Sequence, residues 1–356
     1  MSSKRSSTPP WRVMQIPRPL QRLFDRFPLL TYDANELPAR SQHLTSSELP
    51  TLYIFSTDED ARLGLPSFNP GCLKWQTLLR LTNLPFRTLP STNHSSPTGS
   101  LPYLLPPRSS TSSSTSTSTS SAPTPPPPIR ADELLRYALR HGGAPVPEPE
   151  PEPASSSCPQ AYLSLVNLHL RNAWLHALYL DPTYAPLLHR LYIAPASSSR
   201  GVQATLAWQL RKAAAEQIVS SSGSGKIISR AGVTSADAVD EEGVYAAAEE
   251  ALAALAGLLA ESKDAKGVEE GWFFGAEGPT WFDAAVFSYT HLMMGFMDGE
   301  REGVRALGAM VRAARTGELA RHRRRMLEAA WPEGVGEREG ECSFRMEQDM
   351  NGHDTV

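Results

Sequence analysis

Apolar residues recur with two different periods along this chain. In the first half they come in short runs of strand character, Thr51-Leu52-Tyr53-Ile54-Phe55, Leu84-Pro85-Phe86-Arg87-Thr88-Leu89 and Leu101-Pro102-Tyr103-Leu104-Leu105, bounded by Pro, Gly, Ser and Asn. A charged loop follows the first run. Leu73, Trp75, Leu78, Leu79 and Leu81 then take helical spacing, with Asn69 placed to N-cap the helix and Pro70 at its first position. The result is a strand–helix–strand unit whose connection is long enough for a parallel pair. Pro97-Thr98-Gly99 predicts a turn, and Pro102 opens the third strand beside it, a place where a cis bond is found. Ile129 to Arg140 returns to helical spacing through Leu134, Leu135, Ala138 and Leu139.

From Gln160 the period is helical throughout. Residues 160–180 are apolar on most faces, with Arg171 the only formal charge, and Asp181-Pro182 stops them. Further helix is predicted over 184–194, 202–219, the Ala-rich 237–262 and, in one or two polar pieces, 300–331 up to Trp331-Pro332. The most informative stretch is Gly271–Met297. Thr280 and Asp283 have capping-box spacing, and behind them Phe282, Ala284, Ala285, Val286, Phe287, Tyr289, Leu292 and Met293 cover nearly every face of a helix. A helix apolar all round lies at the centre of a domain, and Asp283 is assigned to the cap rather than to acid–base work.

The 31 prolines and the Ser/Thr tracts reserve much of the 356 residues for segments that bury little apolar area. Residues 1–50 form an N-terminal extension, partly disordered. Within it Leu20, Leu23, Phe24 and Phe27 predict a short amphipathic helix that docks on the protein's own body or, with Arg18, Arg22 and Arg26, on a membrane surface. Residues 51–140 form the α/β domain, with a disordered insertion at 106–128. Residues 141–159 are a Pro/Glu linker, 160–331 an all-helical domain and 332–356 a tail. A net charge of −4 offers no general attraction to nucleic acid or to an anionic membrane. Cys72, Cys158 and Cys342 make neither a CxxC nor a metal spacing, which fits a reducing compartment. There is no secretory h-region, and no stretch reads as a transmembrane span.

Candidate chemistry is sparse. Cys72 sits in the first turn of a helix, where a thiolate is favoured, although a small apolar packing role suits it better. Tyr53, Ser56 and Ser67 surround the strand-to-helix loop, where a hydroxyl could activate a thiol. His169 and His176, two turns apart on one helix, are too far apart for one metal. Ser222-Gly223-Ser224-Gly225-Lys226 lacks the first Gly and the final Ser/Thr of a phosphate loop and reads as a linker. Arg312, Arg315, Arg321, Arg323, Arg324 and Arg325 form a basic cluster that could meet acidic lipid or an acidic partner, or simply be a solvated helix face.

The order of these elements resembles the glutathione-transferase architecture, a thioredoxin-like α/β N-terminal domain joined to an all-α C-terminal domain. That resemblance puts Pro102 at the cis-Pro place and Thr280 and Asp283 at the capping pair of the core helix. More closely, PSFNPGCLKWQTLLRLTNLPFR, SSPTGSLPYLLP and FFGAEGPTWFDAAVFSYTHLMM are similar to the metaxin family, and LFDRFPLLTYDANELPARS resembles the leader of its fungal members. The resemblance implies a non-enzymatic peripheral subunit of the sorting and assembly machinery, on the cytosolic face of the mitochondrial outer membrane. Its implied partners are a β-barrel core subunit, a second metaxin-like subunit and β-barrel precursors, with no catalytic residue, cofactor or metal. Transferases keep a catalytic Tyr, Ser or Cys in the strand-to-helix loop and an acidic–Ser pair after the third strand, and neither has a clear occupant here. The alternatives left are a glutathione-dependent enzyme and a cytosolic adaptor on the same fold.

Overall fold

A computed structural model describes residues 48–97, 99–107, 127–146, 159–221, 239–266, 271–297 and 306–334. All fall within one compact unit, residues 39–356. The amphipathic segment 19–30, the Ser222–Lys226 loop, and all but the ends of the Ser/Thr insertion, the Pro/Glu linker and the tail lie outside the described residues.

The α/β half runs β1 (Thr51–Ile54), α1 (Asp58–Leu63), α2 (Pro70–Leu81), β2 (Arg87–Pro90), β3 (Tyr103–Leu105), β4 (Ile129–Arg130) and α3 (Ala131–His141). The sheet order is β2-β1-β3-β4. β1 is parallel to β2, with Leu52 opposite Thr88, and antiparallel to β3, with Leu52 opposite Leu104. The Leu101–Pro102 peptide is cis. Side chains alternate between sheet faces. Leu52, Ile54 and Leu104 therefore meet Cys72 and Leu79 of α2 and Leu134 and Ala138 of α3, while Tyr53, Tyr103 and Leu105 form a separate cluster on the other face.

Two elements differ from the sequence reading. The charged loop after β1 contains α1: Thr57 Oγ1 accepts from Asp60 N, and Asp58, Glu59 and Asp60 sit at the positive end of the helix dipole. Gly64 ends it at φ 66, a backbone state in which a Cβ is strained. Ile129 and Arg130, read as helix, instead form β4, pairing with Leu104 and Tyr103. The Ser/Thr insertion is thus the loop of an antiparallel pair, and so short a strand leaves no periodic signature.

The helical half begins with α4 (159–180), one continuous run that widens into π turns at Val166–Leu170 and His176–Leu180. It continues through α5 (185–193), α6 (Arg200–Ser221), α7 (Glu241–Lys266), α8 (Trp281–Phe296), α9 (Leu307–Ala313) and α10 (Glu318–Ala330). The sequence showed no transmembrane candidate, yet Glu241–Lys263 of α7 is long and apolar enough to cross a membrane. Its Ala248, Ala251, Leu252, Leu255, Ala256 and Leu259 are buried in the helical core, which accounts for that composition without a bilayer.

α8 is the axis of this half. Phe282, Ala284, Val286, Phe287, Leu292 and Met293 are buried, and the helix packs against α2, α9 and α10. Its start is fixed by a capping box. Thr280 Oγ1 accepts from Phe282 N (3.2 Å) and Asp283 N (3.3 Å), and Asp283 Oδ2 accepts from Thr280 N (2.9 Å) and Thr280 Oγ1 (2.6 Å). Asp283 Oδ1 accepts from Phe273 N (3.3 Å) and from His322 Nε2 of α10 (2.9 Å), with both side chains fully buried. The box therefore joins the 271–280 loop, the head of α8 and the middle of α10.

Thr280→Ala should lower stability by about 0.5–2 kcal/mol, the usual loss of an N-cap. Asp283→Ala leaves His322 Nε2–H and two backbone N–H groups buried and unpaired, and should cost about 3–5 kcal/mol. Urea unfolding of both variants checks this; equal losses would show that the His322 bond contributes nothing.

Candidate functional site

The place to look for chemistry is the segment between β1 and α2, facing the helical half. The chain there is tied down by its own polar groups. Ser67 N donates to Gln76 Oε1 (2.8 Å), Gln76 Nε2 donates to Leu65 O (2.8 Å), and Ser67 Oγ donates to Phe55 O (2.5 Å). Asn69 Oδ1 accepts from Cys72 N (3.1 Å), taking up one of the free N–H groups at the head of α2, and Pro70 has none to offer. Asn69 Nδ2 donates to Tyr192 Oη of α5 (3.2 Å). Around that bond Phe55, Phe68 and Tyr179 pack on the Tyr192 ring, with centroids 5.3, 5.2 and 6.0 Å away. The sheet end of the cleft and the helical half thus meet through an aromatic cluster with one polar link.

Cys72 lies under this cluster, fully buried. Burial pushes its thiol up to about 12, and the Phe55 carbonyl and Ser67 hydroxyl beside it only partly offset that. A thiol held this way is protonated at neutral pH and is a poor nucleophile. Burial also raises Tyr179 to about 12 and Tyr192 well above the usual phenol range. These hydroxyls are therefore hydrogen-bonding groups, and the helix N-terminus that could stabilise an anion is occupied by the protein's own Asn69.

The other candidates are not brought together. Tyr53 points to the opposite face of the sheet, stacked on Tyr103 with ring centroids 4.5 Å apart, and burial raises it to about 12. Ser67 is a loop brace. Ser56 Oγ has no hydrogen-bond partner among the described residues. At the turn into α3, where an acidic–Ser pair was absent from the sequence, Arg130 stands at the N-cap position without a side-chain cap bond, and its guanidinium pairs with Asp132 (3.1 Å). His176 is buried against Tyr245, whose hydroxyl is 3.4 Å from Nδ1. Among the described residues no group of His, Cys, Asp and Glu could hold a metal.

The arginine cluster is dispersed by the helix that carries it. Arg325 is buried, donating to Gly271 O (2.6 Å) and stacking over Trp272. Arg321 pairs with Glu318 (2.6 Å) and Arg324 lies 3.8 Å from Glu328. Arg323 Nε donates to His291 Nδ1 (3.2 Å), and Arg315 lies against Gly257 of α7. Burial, with the Arg323 charge beside it, drives His291 down to about 3.

Four structural residues escaped the sequence reading. His322 had a signal: it falls three residues after Leu319 and four before Met326, on the buried stripe of α10. Tyr192 had none, since its partner lies 123 residues away. Arg80 and Trp331 form a lock between the halves: Arg80 Nη2 and Trp331 Nε1 both donate to Gly64 O (2.8 and 2.9 Å), and the guanidinium stacks over the indole.

Residues 70–184 match the glutathione S-transferase N-terminal domain family. Among solved structures the chain is similar to a glutathione transferase from Phanerochaete chrysosporium, at 13% identity over 79% of this chain and 97% of that one, TM-score 0.45. It is also similar to a glutathione transferase family member from Pseudomonas fluorescens pf-5 with two glutathione bound, at 13% identity over 86% and 95%, TM-score 0.40. A third is a glutathione transferase from Pseudomonas putida with one glutathione disulfide bound per subunit, at 12% identity over 86% and 94%, TM-score 0.38. No curated protein matches the chain. The fold is glutathione-transferase-like: an α/β N-terminal domain on a mixed four-stranded sheet, with a helical C-terminal region.

Two outcomes follow from the site. Alkylation of the native protein at pH 8, read by peptide mass spectrometry, should leave Cys72 unmodified until denaturant is added; rapid labelling would mean that the thiol is accessible and ionised. His291 stays neutral in the folded protein while the unfolded chain takes up a proton near 6.5. Stability from this residue is therefore complete above about pH 6.5 and falls by up to about 1.4 kcal/mol per pH unit as the pH drops toward the folded value. His291→Gln, which keeps an acceptor for Arg323, should flatten that part of the acid limb in thermal melts, and an unchanged limb would refute the assignment.

Proposed function

We propose that this protein is a non-enzymatic, peripheral subunit of the mitochondrial outer-membrane sorting and assembly machinery, facing the cytosol and helping to receive and insert β-barrel precursors. The observation that carries the non-enzymatic part is the head of α2. Its Cys72 N–H is taken by Asn69, its thiol is buried and protonated, and the cleft above it is packed by Phe55, Phe68 and Tyr192. A transferase needs that place open to hold and ionise a thiol. The assignment to this machinery rests on the metaxin-like stretches, and the partners it implies are a β-barrel core subunit, a second metaxin-like subunit and the precursors themselves.

A second reading, a glutathione-dependent enzyme, is favoured by the match of residues 70–184 to the glutathione S-transferase N-terminal domain. Retention on immobilised glutathione with conjugation of a generic electrophile would establish it. For the first reading, mitochondria depleted of this protein should assemble imported β-barrel precursors several-fold more slowly, and a β-barrel protein should co-purify with it from mildly solubilised membranes. A normal assembly rate would end that reading, and a purely cytosolic distribution on fractionation would favour a cytosolic adaptor.

A further inference from the structure

From Pro182 to Ser221 the chain is unlike the rest. Its only acidic residue is Glu216, against Arg190, Arg200, Arg211 and Lys212, in a protein whose net charge is −4. The same stretch holds the two most exposed large apolar side chains among the described residues, Trp208 (59%) and Val202 (52%). On α6, Arg200, Ala204 and Trp208 follow each other at successive turns, and Arg211 and Lys212 complete the strip one turn beyond Trp208. The inner face of α6 carries Leu206, Ala207 and Leu210, partly buried against the helical core, so the strip points away from the body. No residue of α6 before Ala214 is buried.

We infer that this outer strip of α6 is a contact surface for an anionic lipid bilayer. The inference rests on the proposed work at a membrane face, and it names the surface. Trp208 presents an amphipathic ring to solvent with Lys212 Nζ 5.3 Å from its centroid, which is the pairing that settles at the headgroup level of a bilayer. Arg200 lies two turns before it, and Arg200 and Arg211 make no ion pair among the described residues. Glu216 offsets one charge through a 3.9 Å contact to Lys212, and an exposed pair of this kind is weak. The cations draw the strip to acidic headgroups, and Trp208 enters the interface between them. A single ring inserts shallowly, so binding should be reversible and should weaken with added salt.

The test is flotation of the full chain with phosphatidylcholine vesicles, with and without phosphatidylserine. Wild-type protein should float with the anionic vesicles only, and less so at high salt. Trp208→Ala should lower the partition coefficient several-fold. Arg211→Glu with Lys212→Glu should lower it by about tenfold or more, each basic residue contributing separately. Thermal melts should be unchanged, because all three side chains lie outside the core. If wild-type protein does not float, or if the variants float as well as wild type, the proposal is overturned. Loss of a protein partner by the variants, without any vesicle binding by wild type, would mark the strip as a protein interface and overturn it equally. Vesicle binding alongside normal β-barrel assembly in depleted mitochondria would remove the proposed function and leave the lipid surface standing.

Discussion

The carboxylate of Asp283 organises the helical half. It is fully buried and accepts from Thr280 N, Thr280 Oγ1, Phe273 N and His322 Nε2. Without these donors its burial would be strongly unfavourable, and with them it becomes a fixed joint among three segments. His322 completes the logic. Its Nε2 hydrogen-bonds Asp283 Oδ1, and its Nδ1 has no partner among the described residues. The Thr–Asp–His grouping looks like a relay, but the hydroxyl and the imidazole both address the carboxylate and neither reaches solvent. Its bonds hold structure.

From that joint the interface between the halves follows. A fixed α8 presents an apolar face that α2 covers, and Leu73 and Leu78 of α2 enter the same core as Phe282 and Phe287. At one end of α2 Arg80 and Trp331 converge on the Gly64 carbonyl, and at the other Asn69 meets Tyr192. Closing the halves at both ends of α2 uses the groups that a thiol-binding site would need free. Stability and chemistry compete for the same helix terminus, and here the terminus serves packing.

What could be read from the sequence was local. Asn69-Pro70, Thr280-x-x-Asp283 and the Pro before β3 act within a few residues of themselves, so their roles show in the spacing. α1 was missed because charge concealed a cap: Thr57 and three acidic residues looked like a loop until the dipole is considered. β4 was missed because two residues have no period. Nothing local marks Tyr192 or the Arg80–Trp331 pair, which meet their partners across the whole fold. The packing of Phe55, Phe68 and Tyr192 over the head of α2 is made of such long-range contacts, and the sequence showed only that a catalytic residue lacked a clear place.

Charge density along a chain is also a poor guide to charge density on a surface. Consecutive residues on a helix are rotated by about 100°. The run from Arg321 to Arg325 therefore scatters around α10, and its members find a glutamate, a histidine, a carbonyl and a tryptophan face. The basic residues of α6 are fewer, but Lys212 follows Trp208 by one turn and Arg200 and Arg211 flank them within about a third of the helix circumference. A run of arginines attracts notice first, yet Arg323 and Arg325 fasten α10 to its neighbours, and Arg321 and Arg324 lie beside glutamates of their own helix. The sparse residues of α6, with almost no acid near them, are the ones left facing outward.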